Sequence, residues 1–387
     1  MRTDSPHPVL PARPSRRAAL RHAVSAHAWR DALSVDTSRI SYAASLRVGM
    51  AVGVVLVIGG VTGCRDIAGF AALGTLVSAF CRSDPYPQRA GRLGVLAVAI
   101  TTAVGIGAVL GAYSGSFMVE IGVISALAGA AAYLVSALHI VGPGGIIFVF
   151  AATGAAGFAG DLSDVGWAVA ATALGSAIGL LAALAPHLIA MSTRRGHTEV
   201  PGSATRESLW TQLSGGHFSH TRHHLLISAA RIAVAAAAAA GLAAAAGLAH
   251  PMWAAMGAMA AMQGVSYHHT VSRGVARLLG NIGGAAIAAV LLALPLGYWG
   301  AVTAIVALQT CAEVFSTVNY AMCSLAVTPM ALLLTGLGAG LSPEMAVDRV
   351  LDTGIGIVVG IGVAALAITS RDLHTTGNRT EFSCTSH

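Results

Sequence analysis

Polar residues in this chain collect in a few places: residues 1–40, near 82–92, 191–224, near 266–277 and after 370. The stretches between them are apolar on every side, as in Val234 to Ala249. A helix of a soluble core keeps charges on one face at a period of 3.6, and a half-buried strand alternates at a period of 2. Neither pattern is present. Because about 20 residues of apolar helix cross a bilayer, the runs predict helices near 43–60, 66–81, 92–112, 117–138, 141–160, 165–190, 225–248, 252–265, 276–296, 299–318, 320–340 and 347–369. The expected fold is an all-α membrane protein of about 12 transmembrane helices.

Composition sharpens this picture. Apolar residues make up 55% of the chain and charged residues 10%, against about 25% charged in an ordinary soluble domain. The net charge of +6 comes from 22 basic residues, all of them arginine. They follow the short loops and tails, so the charge reads as topology and not as a nucleic-acid surface. Basic residues are in excess in cytoplasmic loops, which places both termini and the 191–224 linker in the cytoplasm of a multi-pass plasma-membrane protein. Cys64, Cys81, Cys311, Cys323 and Cys384 form no CxxC pair and read as packing residues. In the N-terminal tail, arginines and histidines interrupt any apolar run that a cleaved signal would need. Residues 16–33 read either as a helix lying on the inner leaflet or as a tail without fixed structure.

The chain also resembles itself. Arg47 near the start of the first helix answers Arg231 in the seventh, and Ala71-Ala72-Leu73-Gly74 answers Ala254-Ala255-Met256-Gly257. Arg92-Leu93 answers Arg277-Leu278, and Thr172 to Gly179 parallels Thr353 to Gly360. Six helices per unit is an even number, so the reading is two parallel six-helix repeats related by an axis along the membrane normal, with any pathway between them. The organisation is then a tail (1–40), a first half (41–190), a linker (191–224), a second half (225–370) and a tail (371–387). Glycines four apart, such as Gly175/Gly179 and Gly356/Gly360, suit close helix approach in lipid.

Ionisable groups within spanning helices are costly and mark function by default. Arg47 and Arg231 have two readings, snorkelling to phosphates or flanking a vestibule that attracts an anionic solute through the guanidinium fork. Glu313, deep in an apolar helix, is the first candidate to carry a coupling proton, since burial disfavours a carboxylate. Its alternative is a structural acid held by neighbours or by a loop arginine. Asp352 is the second candidate, or one partner of a helix-face ion pair with Arg349 three residues earlier. Pro143, within Gly142-Pro143-Gly144-Gly145, and Pro329 are expected to interrupt helices and free carbonyls near a path. His217, His220, His223 and His224 lack a visible second shell and read as interfacial polarity, so no metal, cofactor or catalytic set is expected.

The second half resembles a known family. His250-Pro251-Met252-Trp253-Ala254-Ala255-Met256-Gly257, Arg277-Leu278-Leu279-Gly280-Asn281, Glu313, Asn319-Tyr320, Thr328-Pro329 and Arg349 to Gly356 together are similar to the fusaric-acid-resistance-like (FUSC) integral membrane transporters. This chain has Gly280-Asn281 where the family commonly has Gly-Thr. In the first half, Ala168 and Ala171 stand at the positions of Arg349 and Asp352. The resemblance implies gradient-driven export of aromatic or other amphipathic carboxylic acids, with Tyr320 among the solute-binding candidates. Implied partners are the organic anion, protons and membrane lipids, with a homo-oligomer as a further option and no nucleic acid. A passive anion channel and a membrane scaffold without flux of its own remain as alternatives.

Overall fold

A computed structural model describes residues 30, 33–35, 37, 40–113, 115–193, 219–263, 267–339 and 344–366. Among them are twelve α-helices and no strand: α1 (Tyr42–Thr62), α2 (Arg65–Thr75), α3 (Tyr86–Tyr113), α4 (Phe117–Ala137), α5 (Ile146–Phe158), α6 (Leu162–Thr193), α7 (Ser219–Ala245), α8 (Pro251–Met262), α9 (Tyr267–Ala293), α10 (Gly297–Phe315), α11 (Tyr320–Ala339) and α12 (Glu344–Leu366). Most of the tail over 16–33 and most of the 191–224 linker, with His217, lie outside the described residues.

Nine of these helices are long and apolar enough to cross a membrane. The other three, α2, α8 and α5, have 11, 12 and 13 residues. At 1.5 Å per residue they reach about 16–20 Å, well short of a hydrocarbon core of about 30 Å. Of the about twelve spanning helices expected, nine have the length and apolarity to span, and the other three depart from the expected runs at defined places. The apolar run after Arg65 leaves the α-helix at Thr75 and tightens into a 3-10 turn, Leu76–Ala79, followed by Cys81 in the left-handed region (φ 54°). The run from 141 becomes helical only at Ile146. Pro143 supplies no N–H and Gly144 takes a φ of 85°, so the chain cannot wind there. Pro143 thus precedes a helix, whereas Pro329 lies inside α11. The third short helix, α8, opens with Pro251 at its first position, where the missing N–H has no intrahelical partner to lose.

Small residues decide which helices touch. Gly74 on α2 lies against Thr172 to Ser176 on α6, and a side chain at Gly175 would overlap the Ala71 carbonyl. The same seam recurs between α8 and α12, where Gly257 meets Thr353 and Gly356, and Gly356 sits on the Ala254 carbonyl. Likewise α3 packs on α5 through Gly107 and Ala152, while α9 packs on α11 through Gly280 and Ala321. Two further contacts cross between the halves: α1 with α10, Gly49 against Thr310, and α4 with α7, Gly129 against Ala229 and Ala233. At the centre, α2 meets α11 and α8 meets α5.

Candidate functional site

A cavity of about 220 Å³ lies where α2, α5, α8 and α11 converge, so both halves of the sequence contribute to its wall. Phe70, Leu73, Phe150, Phe158, Trp253 and Leu334 make it apolar, and Asp66, Thr153, Thr335 and His250 supply a few polar groups. Space is left because Gly154 and Gly157 face the cavity, with nothing within 4 Å of where a Cβ would stand. Phe70 and Phe158 meet edge to face at 5.0 Å, and His250 stacks flat on Trp253 at 4.4 Å. An apolar cavity of about 150 Å³ holds benzene, so this one has room for a single aromatic ring with a short substituent. No arginine lines it.

The starts of α1, α3, α9 and α11 and the ends of α2 and α10 gather into a basic face. Here Arg82, in the α2–α3 turn, forms an ion pair with Glu313 on α10 and so ties the first half to the second. Gln309 donates to the Glu313 carboxylate at 2.8 Å, and Glu313 is 5% exposed. Its surroundings match the alternative in which a loop arginine holds it. Burial, with Arg89 and Arg47 nearby, lowers the pKa of the Arg82 guanidinium below its ordinary value. A second ion pair, Arg92 to Asp84 at 2.6 Å, closes the same turn. The Cys81 amide donates to the Val141 carbonyl at 2.9 Å, which stitches this turn to the Pro143 segment. Burial, then Asp84, pushes the Cys81 thiol up to about 12.

Tyr320 stands at the start of α11 beneath two arginines. Arg273 lies over its ring at 4.2 Å and Arg277 donates to its hydroxyl at 3.3 Å. Asn319 caps α11 by accepting from the amides of Ala321 and Met322, the role asparagine favours at a helix start. Arg47 joins the basic face beside Arg82 and Arg89. Arg231 is half-buried on α7, a helix that packs on α4 while the helix of Arg47 packs on α10. The two arginines thus belong to separate interfaces. Pro329 leaves the Leu325 carbonyl without its intrahelical donor, and that carbonyl faces Gly284 on α9.

The interior of the second half is polar. The Thr328 hydroxyl donates to Asn281 at 2.5 Å, and the Asn281 amide donates to the Arg349 carbonyl at 3.3 Å. Arg277, Arg349, Asp352 and Thr353 are all buried around this pair. The expected helix-face ion pair between Arg349 and Asp352 is not formed. Arg349 instead lies over the Trp253 ring at 4.8 Å, and neither carboxylate oxygen of Asp352 has a hydrogen-bond partner. On the next turn of α12 toward the cavity mouth, Asp348 sits 3.4 Å from His250.

The sequence of this polar half places it among known proteins. Residues 235–363 match the fusaric acid resistance protein-like family. The family segment contains Trp253, Asn281, Glu313, Tyr320, Pro329, Arg349 and Asp352, and it ends short of the described end of α12. Comparison with curated proteins and with solved structures finds no match. The aromatic wall of the cavity is the part that sequence reasoning missed. Phe70, Phe150 and Phe158 lie outside the family segment and look like ordinary apolar filling of a spanning helix; their one sequence signal is the glycines beside them, Gly69, Gly154 and Gly157.

Proposed function

We propose that this membrane protein is a gradient-driven exporter of small aromatic carboxylic acids, and that the solute occupies the cavity between the halves. The observation carrying this reading is the aromatic cavity shared by α2, α5, α8 and α11, the kind of concave apolar space with few polar groups that ligands use. Support for two six-helix repeats comes from the paired seams: α2–α6 with α8–α12, and α3–α5 with α9–α11. The basic face is the cytoplasmic one, in keeping with the excess of arginine in cytoplasmic loops. There Arg47 and Arg89 draw an organic anion toward Arg82, and the solute carboxylate competes with Glu313 for that guanidinium. Opening the Arg82–Glu313 tie lets the halves part on that side, as interface salt bridges are repacked in rigid-body transitions.

Proteoliposomes loaded with radiolabelled benzoate test the reading. The expected result is saturable efflux driven by a pH gradient, with benzoate exchange across the membrane and no matching current under voltage clamp. Gly154→Leu should abolish it, because the side chain starts in open space, with nothing within 4 Å of its Cβ, and fills the cavity. Its thermal stability should be unchanged or slightly raised, since Leu favours a helix by up to about 1 kcal/mol over Gly. A steady benzoate current would make the protein a channel. Flux equal to protein-free vesicles would leave only a scaffold.

A further inference from the structure

We propose that Arg349 is a two-position arm that couples a proton on Asp352 to the aromatic wall of the cavity. Asp352 is fully buried and its two oxygens lack hydrogen-bond partners. A carboxylate left that way in a low-dielectric interior is strongly disfavoured unless a cation reaches it or a proton neutralises it. The nearest candidate cation is Arg349, three residues earlier on the same helix face and within reach. It is not there. Its guanidinium lies on Trp253, and Trp253 lines the cavity. The arrangement is that of a protonated Asp352 with the arm parked on the indole.

Loss of the proton leaves a buried anion, which draws Arg349 off Trp253 and changes the indole's seat in the cavity wall that a solute ring meets. Rebinding of a proton returns the guanidinium to the indole and restores the wall described above. Only a proton moves, from water to a carboxylate oxygen of Asp352 and back. A route for it is present: Asp348 lies one turn from Asp352 on α12, half exposed, beside His250 at the cavity. The charged groups around Asp352 are few. Its own helix supplies Asp348 and Arg349, α8 has His250 at its start, and α9 supplies Arg277 beside the Asn281 amide. Glu313 is held by Arg82 and Gln309, so the coupling proton falls to Asp352 and the tie between the halves to Glu313.

This inference rests on the exporter reading for its purpose, but the switch itself can be tested without flux. A protein keeping Trp253 alone, with Trp29, Trp167, Trp210 and Trp299 changed to Phe, reports the indole environment by its emission across pH 4 to 9. A single transition is expected, lost in Asp352→Asn and lost again in Arg349→Gln, where Asp352 still titrates but no arm moves. His250→Gln serves as the control, because a protonated imidazole on the indole would also quench it. A transition that persists in Asp352→Asn, or vanishes only in His250→Gln, overturns the proposal. In proteoliposomes, Asp352→Asn should keep benzoate exchange yet lose all response to the pH gradient; a retained response also overturns it. A wild-type transition without any benzoate flux leaves the switch standing and sinks the exporter reading instead.

Discussion

The two runs of six helices share two close seams and surround them with different chemistry. In the first, the faces that α3, α5 and α6 turn inward are mostly apolar, Leu93, Leu96, Phe148, Val149, Ala168 and Ala171, with Arg89, Thr172 and Ser176 as the buried polar residues of these helices. In the second, the inward faces of α9, α11 and α12 carry Arg277, Asn281, Ser324, Thr328, Arg349 and Asp352. The helix seams are nevertheless alike, since Gly74–Gly175 and Gly257–Gly356 make the same close approach. Small residues at the seams therefore set the architecture, and the positions between them are free to be apolar or polar. In lipid the hydrophobic effect gives helices no reason to associate, so the seams must hold each half together whether or not its interior is polar. Among the described residues the buried arginines and carboxylates other than Arg89 lie in the second half, and the family match falls there too.

The largest test of that separation is at the seams. Gly175→Val and Gly356→Val should each destabilise by about 3 kcal/mol or more, because a Cβ at either site meets a backbone carbonyl that cannot yield. Thermal unfolding in detergent should show comparable losses in both halves. A first half that tolerates valine while the second does not would break the equivalence of the seams.

Exchanging the fillings gives a smaller effect. Leu96→Asn buries an amide on the α3 face that carries the buried Leu93 and Ile100 and should cost about 2–5 kcal/mol. The reverse change, Asn281→Leu, should cost only about 1 kcal/mol, because Thr328 keeps the Ser324 carbonyl as a second acceptor. Equal costs in the two variants would mean that polarity in the second half is structural after all.

The smallest effect is a chemical one and also reads the orientation. In single-cysteine proteins on intact cells, an impermeant maleimide should label exposed Cys64 from outside and leave Cys81 untouched. The thiolate is the reactive form. With the Cys81 thiol pushed up to about 12, only about one molecule in a thousand is thiolate at pH 9, and its reactivity should rise only as pH approaches that value. Labelling of Cys81 from outside at neutral pH would reverse the topology.

Much of this was legible in the apolar runs. The predicted helices fall on the observed ones within a few residues at most ends, and Ala71–Gly74 and Thr172–Gly179, matched by sequence to a second pair, proved to touch each other in space. Glu313 was legible as a buried acid, and its partner was legible as a class, a loop arginine. What failed has physical reasons. An apolar run does not say where a helix stops, so the 3-10 turn after Thr75 and the unwound stretch before Ile146 carry the same signal as helix. Spacing along one helix pointed Arg349 at Asp352, but an aromatic ring on another helix took the guanidinium. Phenylalanines that wall a cavity carry the same signal as phenylalanines that face lipid.

The three short helices change the electrical profile of the molecule. Where α2, α5 and α8 end before the bilayer does, polar backbone groups at their tips need protein or water as partners. Where water reaches those tips, the insulating layer beside α2, α5 and α8 is closer to about 20 Å than to about 30 Å thick. A transmembrane potential falls across the insulating layer, so its field is concentrated on the stretch that holds the cavity. Moving one elementary charge through 100 mV is worth about 2.3 kcal/mol wherever the drop occurs. Compressed onto this segment, that work is delivered over a displacement of a few helical turns, within the range of a side chain swinging and two helix bundles tilting.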